Sequence, residues 1–228
     1  MSIIFDKLDE QAEKFKALLL SSAFATDDDH SFGWENKVFI NAYIRRAHLD
    51  IIDLRDTKKL YMMHLCIFPK VWDSTPIFGV DIIAGPNKLT GAFLDYSPVS
   101  DDGHPLSTWF EKEVQNYNWV RERPLPEWAV SIFSKDMVAV SNVNSIMELD
   151  SFLELSYNSL KHYLEDINLH QERISYSEKC VKETYKDRQN YYCQKQKQNP
   201  HTPRVLESLG FEPELIQRFI QTGLFPEL

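Results

Sequence analysis

The sequence lacks the short motifs that bind nucleotides, flavins or metals tightly. It contains no GxGxxG, no P-loop, no GxSxG, no HExxH and no paired CxxC, patterns that recur in such sites. The acidic run DDDH at residues 27–30 has no second ligand cluster nearby and is interpreted as a solvated loop. If the chain is an enzyme, its chemistry therefore rests on carboxylates, histidine and a diffusible partner.

Cysteines and long apolar runs are also scarce. The three cysteines, Cys66, Cys180 and Cys193, are odd in number and lack metal-ligand spacing, which argues against a disulfide scaffold and for a reducing compartment. No apolar run approaches the roughly 20 residues that cross a bilayer. The segment MSIIFDKLDEQAEKF is too acidic and interrupted for a signal or transit peptide. We expect a soluble, cytoplasmic protein with no membrane partner.

Positive charge is in deficit as well. Lysine and arginine total 25 against 34 aspartates and glutamates, a formal net charge of −9. This balance disfavours nucleic acid as a partner, because the phosphate backbone attracts basic surfaces. The 228 residues, 43% of them hydrophobic, are enough to bury a substantial core. Since we find no internal repeat and no linker, we predict a single domain spanning residues 1–228.

From Lys37 onward the chain is rich in short β-type runs. The connections between them are too short for crossover helices, so neighbouring strands should be antiparallel and form a meander. Segments 129–133 and 137–141 are predicted to extend the sheet. The five runs of the meander are KVFINAYI, HLDIIDL, LYMMHLCIF, PIFGVDIIA and LTGAFLDYS.

Helical patterns account for the rest of the chain. Residues 3–24 have apolar side chains at helical spacing, and capping boxes at Thr108 and Ser145 predict two further helix starts, the second helix running to about His170. Segment 172–198 is predicted as a long polar helix, followed by a short closing helix. Helices on both faces of one antiparallel sheet give an α+β fold, a three-layer α/β/α sandwich. The predicted buried positions of the two C-terminal helices are Ile174, Cys180, Val181, Tyr185, Tyr191, Tyr192, Leu215, Ile216, Phe219 and Ile220.

Two titratable residues interrupt the apolar runs of the meander. Asp81 lies between Val80 and Ile82, and His64 lies inside YMMHLCIF. An isolated buried carboxylate is costly unless it is paired or its pKa shifts. Because strand side chains alternate, a meander brings Asp50, His64 and Asp81 to one face of adjacent strands. Such a group can donate protons, whereas the plainer alternative is a satisfied core histidine with an aspartate at a strand edge.

Seven segments carry a resemblance to a known family. They are RRAHLD (45–50), LYMMHLCIFP (60–69), PIFGVDIIAGP (76–86), FLDYSPVS (93–100), RPLPEWAVSIFS (123–134), YCQKQKQN (192–199) and RVLESLGF (204–211). On these motifs the chain resembles the ferredoxin-dependent bilin reductases, in particular the phycocyanobilin:ferredoxin oxidoreductase branch and its phycoerythrobilin-forming relatives in marine viruses. The resemblance covers nearly the whole chain from about residue 37.

The resemblance implies an α/β/α sandwich that binds biliverdin IXα in a cleft between the sheet and the C-terminal helices. It further implies that no metal or organic cofactor is bound, that reduced ferredoxin delivers electrons singly, and that protons are added to a bilin radical. His64 and Asp81 match the pair that protonates the bilin and holds the radical. Arg123 falls where a basic residue meets a propionate, with Trp128 close behind, and Asn199 matches an asparagine of this branch.

Two departures from the branch bear on the substrate and product. In the phycocyanobilin-forming enzymes the residue matching Asp50 is a glutamate that serves reduction of the D-ring vinyl group, and aspartate is one methylene shorter. Proton delivery needs heavy atoms within about 2.6–3.2 Å, directly or through one water. We therefore expect the vinyl group to survive and phycoerythrobilin to form via 15,16-dihydrobiliverdin. Pro200 and His201 stand where relatives often carry Asp-Lys, which leaves His201 as an open candidate for the lost propionate contact.

The resemblance also implies a protein partner. Ferredoxins are strongly acidic whereas this chain is net negative, so docking requires a local basic surface. The family further implies that the chain acts as a monomer. The candidate docking cations flank segments of the expected cleft and are Arg45, Arg46, Lys70, Lys195 and Lys197.

Two alternative functions stay open at this point. One is a phycocyanobilin-forming enzyme in which Asp50 does the work of the glutamate, and the other is a bilin carrier that binds its ligand without reducing it. A carrier needs an aromatic cleft and propionate contacts but no proton donors. The presence of both His64 and Asp81 favours the enzyme.

Overall fold

The computed structural model describes residues 2–25, 32–120, 122–173 and 182–228. Within these residues the centre is a seven-stranded antiparallel sheet whose strands follow one another in sequence order. No helix of the described segments is long and apolar enough to cross a bilayer. The strands are β1 (Phe24–Ala25), β2 (Glu35–Ile40), β3 (Ile44–Leu54), β4 (Leu60–Pro69), β5 (Ile77–Gly85), β6 (Lys88–Ser97) and β7 (Val138–Val143). The helices are α1 (Ile3–Ser22), α2 (Pro105–Val114), α3 (Glu127–Val130), α4 (Ile146–Arg173), α5 (Glu183–Gln196), α6 (His201–Leu209) and α7 (Pro213–Arg218), which continues into a π-helical turn (Phe219–Leu224).

Two hydrophobic cores lie on opposite faces of the sheet. Successive strand side chains point to opposite faces, so each strand contributes to both cores. One core joins the sheet to α1, α2 and α4 and contains Phe15 and Phe152. The other joins the sheet to α5, α6, α7 and the π-helical turn and contains Tyr192 and Leu206. The predicted α+β class, the meander and the α/β/α layering are confirmed.

The predicted strand at residues 129–133 is wrong, whereas its neighbour predicted at 137–141 is confirmed as β7. Residues Glu127–Val130 form the short helix α3 instead. A short, mostly apolar run does not distinguish a strand from a helical turn. Pro126 precedes the helix with φ −70° and ψ 157°, and the fixed φ of proline suits that position.

Helix α2 begins earlier than the sequence predicts. The helix start predicted from the capping box at Thr108 is wrong, because the helix already begins at Pro105 with His104 as its N-cap. Nδ1 of His104 accepts a hydrogen bond from the backbone N–H of Leu106, at 3.2 Å. Proline at the first helical position needs no hydrogen bond for its nitrogen, so the pair His104-Pro105 is the stronger start signal.

The capping box at Ser145 is confirmed in its first half. The backbone N–H of Glu148 donates to Ser145 Oγ at 3.4 Å, where α4 begins. The Glu148 carboxylate does not reach back to the cap but accepts a hydrogen bond from the backbone N–H of Val120, at 2.9 Å. This contact ties the start of α4 to the segment that leads toward residue 123.

The long helix predicted at residues 172–198 is divided differently. Residues 172 and 173 belong to α4, and α5 spans Glu183–Gln196. In α5 the residues buried against the sheet are Gln189, Tyr192 and Cys193, a spacing of three and four that defines one helix face. Tyr191 lies off that face and is exposed, so its predicted burial is wrong. The predicted buried residues Ile174, Cys180 and Val181, and the run at residues 27–30, lie outside the described residues.

The C-terminal turn has no room for a side chain at Gly223. The predicted closing helix is confirmed as α7, and Phe219 and Ile220 are buried in the turn that follows. A Cβ atom at position 223 would lie 2.8 Å from Cδ2 of Phe219 and 3.3 Å from Phe32. Gly223→Ala should therefore lower the free energy of unfolding, measured by urea denaturation, by about 1–3 kcal/mol, the usual cost of overpacking. The exposed neighbour serves as control: Thr222→Ala should change it by less than about 0.5 kcal/mol, and equal stability of the two variants would contradict the steric argument.

Candidate active site

Four polar residues face one another across the middle of the sheet. Asn36 of β2 lies opposite Asp50 of β3, Asp50 opposite His64 of β4, and His64 opposite Asp81 of β5. The row lies on the sheet face that packs against α5–α7, the face to which Cys66, two residues beyond His64, also belongs. Directly opposed residues have Cβ atoms about 4.5–5.5 Å apart. The register therefore brings Asp50, His64 and Asp81 together.

A hydrogen-bond network joins this row to a second histidine. Oδ1 of Asp50 lies 3.1 Å from Nδ1 of His64 and 3.8 Å from Nδ1 of His48. Nε2 of His48 bonds to Oδ1 of Asn36. Because an amide oxygen can only accept, Nε2 carries the proton and Nδ1 faces Asp50 as an acceptor. His48 is not among the residues predicted from the sequence, although it precedes Asp50 by two residues in one strand, so that alternation alone places both on one face.

Burial and neighbouring charges shift the pKa values of these groups. Burial, followed by the charges of Arg46 and His64, lowers the pKa of His48 well below its usual range, so its ring is neutral. Burial raises the pKa of Asp50, although the hydrogen bond from His64 by itself lowers it. Burial by itself lowers the pKa of His64, but the hydrogen bond to Asp50 and the charges of Asp50 and Asp81 raise it overall. Burial raises the pKa of Asp81 to about 6, despite attraction to His64. Asp81 can therefore hold and release a proton near neutral pH.

Asp50, His64 and Asp81 of this row form the floor of a cleft between the sheet and the C-terminal helices. Its cavity volume is about 410 Å³, within the range of roughly 300–1,000 Å³ that is typical of small-molecule sites. Segment 123–137 supplies one wall, and α5, α6 and the π-helical turn supply the other. The individual roles of the predicted catalytic and substrate-binding residues stay predictions, but all seven line this cleft: Asp50, His64, Asp81, Arg123, Trp128, Asn199 and His201.

Arg123 is fixed at one wall through both its backbone and its side chain. Its backbone N–H donates to the carbonyl of Ala139 in edge strand β7, at 2.7 Å. The guanidinium carbon lies 5.4 Å from the centre of the Phe93 ring. A Cβ atom at Gly91 would lie 3.3 Å from Cε2 of Phe93, so a side chain at this position would crowd the ring on which the guanidinium group lies. A cation stacked on an aromatic ring in a cleft wall suits a ligand carboxylate.

Asn199 and His201 lie where α5 ends and α6 begins. Nδ2 of Asn199 donates to Oγ1 of Thr202 at 3.2 Å, and Oδ1 of Asn199 accepts from the backbone N–H of His201 at 2.9 Å. The asparagine side chain therefore holds the start of α6. The imidazole of His201 is exposed at the edge of the cleft, where it can contact a polar substituent of a ligand.

Three of the five predicted docking cations make internal contacts. Arg46 donates to the carbonyl of Gly223 at 2.8 Å. Arg45 donates to the side chain of Gln189 at 3.1 Å. Lys197 forms an ion pair with Glu227 at 2.6 Å, and its side chain is only 14% exposed. These contacts tie β3 and α5 to neighbouring elements, so the three cations serve the fold whether or not they also meet a partner.

The other two docking candidates are less engaged. Lys70 lies with its ammonium group 5.9 Å from the ring centre of Trp72, and Lys195 lies 5.4 Å from that of Tyr191. Both lysines are partly exposed. An exposed cation beside an aromatic ring is available to an acidic partner, so these two are the better placed members of the predicted set.

One group of side chains has the composition of a metal site. His48, Asp50 and His64 each offer one ligand atom, all within 4.8 Å of one another, and the described part of the chain contains no further group of this kind. Asp50 and His64 already bond to each other directly at 3.1 Å. We therefore interpret the group as a network that shares protons. That no metal takes part in the chemistry stays a prediction.

Comparison with known proteins identifies the family. A model described as ferredoxin-dependent bilin reductase matches residues 16–226. The chain belongs to the ferredoxin-dependent bilin reductases. It is 29% identical over 194 residues to the phycocyanobilin:ferredoxin oxidoreductase of Trichodesmium erythraeum, covering 84% of this chain and 75% of that one. It is 31% identical over 199 residues to the protein of the same name from a Synechococcus strain, covering 85% and 77%.

Two solved structures share the fold of this chain. The structure of a protein named PcyX is 30% identical, with a TM-score of 0.67, and the match covers 97% of this chain and 99% of that one. Phytochromobilin synthase from tomato, solved in complex with biliverdin, has the same TM-score at 16% identity, covering 97% and 82%. The second likeness shows the fold alone. The predicted family is confirmed, and with it the class of enzyme, an oxidoreductase that takes electrons from ferredoxin.

Proposed function

We propose that this bilin reductase converts biliverdin IXα to phycoerythrobilin via 15,16-dihydrobiliverdin. The observation that carries the proposal is the row of Asp50, His64 and Asp81 on the cleft floor, with Asp50 bonded to His64. Each of the two reductions consumes two electrons and two protons. Because ferredoxin delivers one electron at a time, each reduction passes through a bilin radical. The protein has to hold the bilin, supply protons at the right atoms and keep other proton donors away.

Asp81 and His64 are the proposed proton donors. Both line the cleft, and both have raised pKa values, so each keeps a proton at higher pH than its unperturbed counterpart does. A general acid is most effective when its pKa lies near the working pH. Asp50, which bonds to His64 and has a raised pKa of its own, can restore the proton that His64 gives up.

Asp50 is the residue that selects the product in this proposal. Its side chain is 6% exposed, against 18% for that of His64. The carboxyl group therefore lies deeper in the floor than the imidazole to which it bonds. Lacking the additional methylene of glutamate, it is too short to reach the D-ring vinyl group, and the methine bridge to the D-ring accepts the proton instead.

The cleft walls supply the proposed substrate contacts. Arg123 is assigned to one propionate, because its guanidinium group is fixed over an aromatic ring. Trp128 lines the same wall and offers apolar surface to the tetrapyrrole. Asn199 and His201 are assigned to the opposite wall, where the imidazole takes the place of the lysine that relatives often carry.

The direct test is anaerobic turnover of the purified protein with biliverdin IXα, reduced ferredoxin and a regenerating system. Absorbance and chromatography identify the product. Phycoerythrobilin, with transient 15,16-dihydrobiliverdin, supports the proposal. Phycocyanobilin would show that Asp50 serves the vinyl group after all, and a bilin that stays bound but unreduced would place the protein among carriers.

The proposal predicts a dependence of the rate on pH. Asp81, with its pKa of about 6, must be protonated to act as an acid, so it loses this capacity as the pH rises through that value. We expect kcat/KM at limiting biliverdin to fall by up to about tenfold per pH unit above pH 6. A rate that stays level from pH 5.5 to 8.5, measured with ferredoxin in excess, would contradict the role of Asp81.

Electrostatic docking of ferredoxin predicts a dependence on salt. Salt screens the electrostatic attraction between an acidic partner and cations such as Lys70 and Lys195. At physiological ionic strength the screening length is about 8 Å. We expect the rate at limiting ferredoxin to fall on the order of tenfold between low and high salt. Reduction by a small uncharged donor should change little and serves as control. Equal salt dependence with both donors would contradict electrostatic docking.

A further inference from the structure

Two phenylalanine rings from the C-terminal turn cover the proton network on its cleft side. The Phe219 ring lies 6.3 Å from the ring of His48, and the Phe225 ring lies 6.1 Å from the ring of His64, nearly perpendicular to it at 83°. Asp50 lies between these two histidines in the network. We call Phe219 and Phe225 the aromatic cap.

Neighbouring contacts hold the aromatic cap in place. Phe219 packs against the rings of Phe32 and Trp34, at 4.9 and 4.8 Å. The turn between the two cap residues is tied to strand β3 by the hydrogen bond from Arg46 to the Gly223 carbonyl. Beyond the cap, Glu227 is bound by Lys197 at 2.6 Å and by Gln194 at 2.8 Å. The cap is therefore anchored on both sides rather than resting on the cleft surface.

Asp50 is buried although it lines the cleft, and the two cap rings lie against the histidines on either side of it. The residue is only 4% exposed, and the cap residues themselves are 2% and 5% exposed. A carboxyl group delivers a proton either directly or through one bridging water. Such a water requires two to four polar neighbours, and the two apolar rings offer it none on their side of the network.

We propose that Phe219 and Phe225 determine the product by excluding the water that would carry a proton from Asp50 to the D-ring vinyl group. This inference rests on the proposed function and adds a second condition to it. The short side chain of Asp50 rules out direct delivery, and the aromatic cap rules out delivery through water. With both routes closed, the D-ring takes its two electrons and two protons at the methine bridge, and the vinyl group is left unreduced.

A graded series at position 225 tests the inference. Phe225→Ala removes the ring, and Phe225→Leu keeps part of its apolar bulk. The fraction of phycocyanobilin in the product, measured chromatographically, should rise in the order wild type, Phe225→Leu, Phe225→Ala, with at least about a tenfold rise at the end of the series. If Phe225→Ala does not fold, the leucine variant still gives the direction. Binding of biliverdin, followed by absorbance, shows which variants are folded.

Two further variants separate the role of the aromatic cap from general loosening of the cleft. Phe133 lies in segment 123–137 and packs against Trp128 and against Tyr192, which also contacts Phe225. Phe133→Ala therefore loosens the packing beside the cap but leaves both cap rings over the network, and it should keep the wild-type product ratio even if its rate falls. In the double variant Phe225→Ala/Asp50→Asn, the phycocyanobilin should disappear again, because the proton originates from Asp50.

The outcomes distinguish this inference from the function on which it rests. Phycocyanobilin from the wild-type chain overturns both. Phycoerythrobilin from the wild type, with an unchanged ratio in folded Phe225 variants, overturns the inference alone. An equal shift in Phe133→Ala, or phycocyanobilin that persists in the double variant, also overturns it, since the proton would then come from elsewhere.

Discussion

Replacing Asp81 with asparagine should slow biliverdin reduction by about 10²–10⁴-fold, the range over which a positioned general acid contributes. The amide keeps the size of the side chain and its place opposite His64 but has no acidic proton to donate. Single turnover under anaerobic conditions gives the rate, and electron paramagnetic resonance should show a bilin radical that persists after the first electron has arrived.

The matched control for this variant lies two strands away in the sheet. Asp53→Asn makes the same chemical change in β3, but Asp53 faces away from the cleft and pairs with Arg55 at 2.9 Å. Its effect on the rate should be less than about twofold, because an exposed ion pair contributes little. If Asp81→Asn turned over as fast as this control, Asp81 would not be the proton donor.

Replacing Asp50 with glutamate should change the product rather than stop the reaction. One methylene extends the carboxyl group by about 1.5 Å, the length of a carbon–carbon bond, which is enough to turn a missed contact into a hydrogen bond of about 2.6–3.2 Å. We expect phycocyanobilin to become the main product, as measured by chromatography of the released bilins.

Asp50→Asn supplies the length-matched control. It keeps the reach of aspartate and removes the proton, so it should form no phycocyanobilin. Because Asp50 bonds to His64 at 3.1 Å, this variant should also slow the reaction by loss of the carboxylate that raises the pKa of His64. Exclusive formation of phycoerythrobilin by Asp50→Glu would assign product selection to another part of the cleft.

The cleft floor could be predicted from the sequence because local rules determine it. Alternation along each strand and short connections place Asp50, His64 and Asp81 on one face, and the register sets them directly opposite one another. His48 obeys the same rule, two residues before Asp50. It was missed because a histidine at the start of an apolar run carries no signal of the asparagine in the preceding strand that accepts a hydrogen bond from its ring.

The walls could not be predicted in the same way, because distant contacts build them. Arg46 reads as a surface cation in the sequence, yet it is bound to the carbonyl of Gly223. The burial of Phe219 is predicted by helical spacing, but its contact with His48 is not. Periodicity identifies the side of an element that is buried, and it does not identify the element that covers it.

The separations of these contacts along the chain have a consequence for how the cleft is completed. The partners Asp50 and His64 are 14 residues apart, whereas Arg46 and Gly223 are 177 apart. In an unstructured chain, closing the longer loop costs about 2 kcal/mol more, since the loss of entropy grows with the logarithm of loop length. Prior formation of the meander shortens that loop and fixes one of its ends. The cleft floor is therefore built from contacts between residues close in sequence, which form readily. The C-terminal turn that covers the floor is held by contacts between residues far apart in sequence, and these form easily only after the sheet has folded.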